Sequence, residues 1–115
     1  RFPKFELTSI LEGSREAQTF ARSMQLCADK VGLSLPKDAH LPERIVFAEG
    51  GVVGRCIWLA KAVLSRALDE ERAEVTLQDA SLQFELEYGA FPMSPFAQGS
   101  WVNVRQALLD GGWSR

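Results

Sequence analysis

A small all-helical bundle of four or five helices is the fold this sequence predicts. Apolar residues recur at three- and four-residue spacings through the longest segments, which is the period of one buried helix face. Capping residues bound those segments: Ser14 and Thr76 sit where a helix would start, and Gly32 and Gly89 where one would stop. Alternating runs are almost absent, so at most a trace of strand is expected.

The opening "RFPKFEL" alternates apolar and polar residues but contains Pro3, so residues 1–13 read as an extended entry segment. A first helix runs from about Ser14, with Glu16 in its first turn, to Val31. Its face is Ala17, Phe20, Met24, Cys27, Ala28 and Val31. The loop "LSLPKDAHLP" carries two prolines, and Pro42 suits the start of a short second helix that ends at "EGG". A third helix spans about Val53 to Glu71. Its stripe Val53, Ile57, Ala60, Leu64 and Leu68 marks it as the central core helix.

After a short extended piece, Thr76 with Asp79 three residues on forms a capping-box pattern that opens a fourth helix, reaching about Tyr88. Residues 14–88 thus form the bundle. Residues 89–115 form a tail of proline, glycine and tryptophan with one possible short helix in "WVNVRQALLDGG".

Length and composition place these elements in one domain. The chain has 115 residues, 46% of them hydrophobic, enough for a modest core. With 13 basic and 15 acidic residues, its formal charge of −2 provides no broad attraction for nucleic acid, so any DNA contact would be local. Cys27 and Cys56 fall in helical segments without a CxxC spacing or a histidine partner, and read as buried, reduced thiols rather than metal ligands. No apolar run approaches the ~20 residues of a membrane span and no leader pattern is present, so the cytoplasm is the expected compartment. The sequence lacks an initiator methionine and reads as a piece of a longer protein.

The chemistry on offer is sparse. His40, the only histidine, lies in the proline loop without an acidic neighbour at helical spacing, and reads as a solvated or capping residue. Neither a nucleophile triad nor a phosphate loop ending in lysine can be placed, so neither catalytic nor metal-binding residues are expected. The run "DEER" at 69–72 reads as a solvated helix end. Trp58, Trp101 and Trp113 invite two readings: packing back onto the bundle, or anchoring a partner, since exposed tryptophans are common interface anchors. The polar, glycine-rich setting of Trp101 and Trp113 favours a tail that serves contacts more than the core.

"GGVVGR" at 50–55 poses the sharpest question, because it sets a cation in the first turn of the third helix, against the positive end of the helix dipole. Arg55 lies away from the Val53–Leu68 stripe, with Trp58, Leu59 and Ala62 around it. An arginine among apolar residues on an outer face suggests a docked surface. Either Arg55 pairs with a nearby carboxylate such as Glu49, or glycines, helix N–H groups and guanidinium together meet a phosphate.

The order of parts carries a resemblance. An "RF…FEL" entry, a helix, a proline loop, a short helix, "GGVVGR", a long helix with "LAKAVLSRAL" and then "AEVTLQDASLQFE" resembles the carboxyl-terminal lid region of the TniB family, AAA+ ATPases of bacterial transposons related to the TnsC type. It covers roughly residues 1 to 87, with "SPF" at 94–96 similar to a frequent family ending. The resemblance implies a lid whose third helix opens with a sensor-2 arginine, Arg55 after Gly54, contacting nucleotide phosphates. It implies a complete protein that uses ATP and Mg, assembles through AAA+ contacts, binds DNA and engages a transposase in target selection. The Walker residues are not in these 115 residues, so no cofactor or hydrolysis is expected of this chain alone. The alternative is an independent helical interaction module without a nucleotide role, with Arg55 a structural ion-pair residue.

Overall fold

The computed structural model describes residues 10–113, and 1–9 of the entry segment lie outside the described residues. It contains five helices and, among the described residues, no strand: α1 Arg15–Lys30, α2 Leu41–Ala48, α3 Val53–Asp69, α4 Leu77–Tyr88 and α5 Trp101–Asp110. The all-helical expectation holds, and the trace of extended pairing is one parallel bridge between Ser34 and Glu74. α2 packs against both α1 and α3, and α3 against α4.

Local chemistry accounts for the ends. Ser14 Oγ accepts from the Ala17 N–H at 3.1 Å, satisfying one of the orphan donors of the first turn of α1. The capping box at Thr76 is complete: Thr76 Oγ1 accepts from the Asp79 N–H, and Asp79 accepts from the Thr76 N–H at 2.9 Å. Asp79 also receives the Arg72 guanidinium fork at 2.6 and 2.9 Å, which ties the α3–α4 turn to the start of α4. Burial pushes the Asp79 carboxyl up, but the hydrogen bonds from Arg72 and Thr76 outweigh it and hold the group below its usual range. The "DEER" turn is therefore partly structural, since Arg72 also binds Glu70 at 2.9 Å.

The core joins Phe20, Met24 and Ala28 of α1 to Leu41 and Ile45 of α2, the Cys56, Leu59, Val63 and Ala67 row of α3, and Phe84 of α4. Two expectations about faces need correction. Cys27 and Val31 are exposed, because the buried face of α1 is the narrower row of Phe20, Met24 and Ala28. In α3, Ile57 and Leu68 are each 42% exposed, while Leu59, placed on the outer face by the sequence stripe, is fully buried. α3 is apolar over a wide arc, and α2 and α4 cover a different part of it from the part the stripe marked.

The tail is also corrected. Trp101, Val104 and Leu108 of α5 are buried and form a second cluster against Phe47, Met93, Ala97 and Trp113. What the tail offers alone is too little to bury its tryptophans. α2 provides the missing surface: Phe47 meets Trp101 edge-on at 5.2 Å and stacks on Trp113 at 5.8 Å.

Arg44 of α2 joins the two clusters. Its side chain is fully buried. Nε donates to the Ala39 carbonyl at 2.7 Å, Nη1 to Pro95 and Ala97 at 3.1 and 2.8 Å, and Nη2 to Gly99 at 2.7 Å, with the guanidinium carbon 5.3 Å from the Trp101 ring centre. Burial alone lowers the guanidinium pKa, and the four carbonyls meet its donors. No other side chain supplies that many donors in one plane.

Two substitutions test this architecture. Arg44→Met should cost at least about 3 kcal/mol by urea unfolding, since each buried carbonyl left without a donor costs ~1–3 kcal/mol. Arg44→Lys should recover only part, because an ammonium cannot span carbonyls contributed by both loops. Leu59→Asp should abolish cooperative folding, whereas Ile57→Asp should shift the melting temperature only slightly. A severe loss at Ile57 would restore the face that the sequence stripe marked.

Candidate functional site

The α2–α3 junction shows what "GGVVGR" does. After α2, the Gly50 N–H bonds the Phe47 carbonyl and the Gly51 N–H the Val46 carbonyl at 2.9 Å, closing the helix end. Gly51 has φ 75° and is buried, and its carbonyl accepts from the Ile10 N–H at 2.6 Å. A Cβ at this position would collide with the Ile10 carbonyl oxygen. The close backbone approach permitted by this glycine is therefore made by the chain's own entry segment.

Four residues on, the surroundings are open. Val52 stands at the N-cap of α3 with no side-chain cap, no acidic residue lies in the first turn, and the first bond within the turn is Cys56 N–H to Val52 O at 2.9 Å. A Cβ at Gly54 would meet nothing within 4 Å. Arg55 is exposed, and among the described residues it forms no ion pair. The alternative of a pair with Glu49 is corrected, because Glu49 is turned into the core, 1% exposed, and accepts from the Tyr88 hydroxyl at 2.7 Å. Gly54, Arg55 and exposed Val52 and Trp58 thus lie together at the start of α3, where the helix dipole adds positive potential.

The other expected residues disperse. Trp58 is 44% exposed and stands one turn from Arg55, as a surface residue should. Trp101 is buried against Phe47 and Arg44, so the chain itself supplies the covering that a partner would have supplied. Trp113 is half-buried among Phe47, Phe84 and Phe91, and its indole Nε1 is buried without a hydrogen-bond partner among the described residues. The three tryptophans do not form one surface.

His40 is exposed at the N-cap of α2 with φ 56° and no side-chain cap bond. A cavity of about 560 Å³ opens between the 34–39 loop and the start of α4, lined by Lys37, Glu74, Thr76 and Gln98 among others. Among the described residues no cluster of His, Cys, Asp and Glu could hold a metal, and no helix is long and apolar enough to cross a membrane.

Sequence reasoning missed the role of Arg44 and the bond between Glu49 and Tyr88. α2 has only eight residues, too few to establish a face by periodicity, and the partners of all three lie far along the chain.

The two cysteines give a direct check. Burial, with the Glu49 charge adding to it, pushes the Cys56 thiol up to about 12, while Cys27 is exposed on α1. A thiol reagent at pH 8 should therefore label one site per folded chain, Cys27, and reach Cys56 only in denaturant. Rapid labelling of both in the folded state would contradict the packing of α3.

Comparison with protein-family models, curated proteins and solved structures found no match to this chain.

Proposed function

We propose that the chain is the carboxyl-terminal lid of a transposition AAA+ ATPase of TniB/TnsC type, in which Arg55 senses bound ATP and the lid contributes contacts to neighbouring subunits or a transposase. One observation carries the reading: an exposed arginine, without an ion-pair partner among the described residues, stands in the uncapped first turn of α3 beside a glycine that leaves open space. A phosphate placed there receives a planar guanidinium and helix N–H groups together, and its charge reverses the mismatch between Arg55 and the helix dipole. The lid residues bind and orient, while ATP and Mg are held in the complete protein by a core that supplies the Walker residues and the DNA contacts. In that assembly Gly54 lets the nucleotide approach the backbone, and Arg55 couples its phosphates to lid position.

A second reading, an interaction module without nucleotide, draws on Val52 at 40% and Trp58 at 44% exposure beside Arg55. Both readings place the active surface at the start of α3, but only the first needs an anion there.

The test uses the complete ATPase. Arg55→Ala should leave the lid folded and weaken ATP-dependent assembly about tenfold to hundredfold, since a charge-assisted contact is worth ~1.5–3 kcal/mol. Arg55→Lys should rescue partly. Equal assembly with a lower lid melting temperature would move the assignment to the interaction module. A GxxxxGK[ST] motif roughly 150–250 residues ahead of Arg1 in the parent protein is the matching genetic expectation.

A further inference from the structure

α5 stands on the bundle by a narrow footing. Of its ten residues the buried ones are the single row Trp101, Val104 and Leu108, while Val102 is 76% and Leu109 40% exposed. Among the described residues no other helix lies along α5 as α4 lies along α3. Cavities of about 420 and 330 Å³ open beside its start and its end, and Glu12 and Val46 line both. A third, about 340 Å³, lies between Ala107 and Leu108 and the 91–93 segment. Beyond the helix, the buried Trp113 indole N–H finds no acceptor among the described residues, a cost borne only while the tail is docked.

A polar tie spans this footing. Arg105 Nε and Nη2 donate to the two carboxylate oxygens of Glu12, each at 2.9 Å, and the guanidinium carbon lies 5.8 Å from the Phe47 ring centre. Both side chains are more than a third exposed, so salt screens the pair. Upstream the chain is fixed, because Arg44 holds the carbonyls of Pro95, Ala97 and Gly99. Ser100 comes next, exposed, and caps α5 with its own side chain. A backbone rotation at Ser100 therefore moves α5 as a unit and leaves the Arg44 clamp in place.

We propose that α5 is a displaceable strap: the α2 face formed by Val46 and Phe47 is a docking site for an amphipathic helix, occupied in the resting chain by α5 and opened at Ser100 when the Glu12–Arg105 pair parts. α5 itself gives the chemistry of the partner helix that takes its place. That helix carries an aromatic residue, aliphatic residues three and seven positions on, and a base four positions on to meet Glu12, as Trp101, Val104, Leu108 and Arg105 do here. Occupancy by α5 lowers the partner's apparent affinity in proportion to the fraction of chains with the strap open. Neither Gly54 nor Arg55 lines the cavities around α5, so the device is independent of the nucleotide reading and is measured without nucleotide.

Amide hydrogen exchange of the full chain, with α3 as internal reference, tests the strap. The α5 amides should exchange at least about tenfold faster than those of α3, and the ratio should rise with salt. Arg105→Ala should raise it further, about fivefold, the upper end for an exposed ion pair, while the chain still melts cooperatively. A labelled synthetic peptide of residues 100–113 then separates a docking site from a loose end. Keeping its own arginine, it should bind the Arg105→Ala chain about fivefold more tightly than the unmodified chain. Glu12→Gln loosens the strap equally but removes the peptide's partner, so it should give no gain. Arg105→Gln takes the place of Arg105→Ala if that variant fails to fold, and the salt series needs no variant. An α5 that exchanges at the α3 rate, a ratio unmoved by salt and substitution, or a peptide that leaves the Arg105→Ala chain unbound at about 1 mM would overturn the proposal. Equal gains with Arg105→Ala and Glu12→Gln would overturn it as well, since the peptide would then be reading exposed apolar surface without the Glu12 contact.

Discussion

The guanidinium of Arg44 is the interaction on which the rest of this fold depends. A proline-rich segment cannot satisfy its own carbonyls by a regular ladder, and 91–100 holds two prolines and no helix or strand. Three of its carbonyls, from Pro95, Ala97 and Gly99, converge on one buried side chain of α2. With that segment held, α5 begins one residue later at Trp101, whose ring lies against both Arg44 and Phe47. A single cation thus orders a loop, sets the start of a helix and links the two apolar clusters. Its charge is met by carbonyl dipoles rather than by a carboxylate among the described residues, which spares the desolvation of a second ion.

Much of this architecture was legible in the sequence where the controlling interactions are local. Ser14 and Thr76 cap the helices expected of them, and the Asp79 variant of the capping box forms both reciprocal bonds. Faces were harder to read. In α3, Val53, Cys56, Ile57, Leu59, Ala60, Val63, Leu64, Ala67 and Leu68 are all apolar, so periodicity admits two stripes, and the tertiary partners decide which is buried. The tail was illegible for a related reason: the surface that buries Trp101 and Trp113 belongs to Phe47, more than fifty residues earlier.

The candidate site divides along the same line. Gly50, Gly51, Gly54 and Arg55 read as one motif, but the structure separates their work. Gly50 and Gly51 close α2, and Gly51 admits the backbone of Ile10, both structural duties. Gly54 and Arg55 carry no such duty among the described residues. A glycine with positive φ against a neighbouring backbone is explained by the fold, whereas a glycine in a helical first turn with open space above it is not.

That residue of unexplained features gives the start of α3 its weight. A cation in the first turn opposes the helix dipole by ~0.3–1 kcal/mol, and an acidic N-cap or a carboxylate partner would ordinarily offset it. Here the N-cap is Val52, the first turn has no acid, and Glu49 is turned inward toward Tyr88. α3 combines an apolar N-cap, an acid-free first turn and a cation in that turn, whereas α1, α4 and α5 each start from a side-chain cap. Departures of this kind concentrate where a protein meets something other than itself. Of the two candidates, an apolar partner would account for Trp58 and Val52 but not for the missing acid. An anion would account for the arginine and the glycine together, which is the ground on which the phosphate reading is proposed.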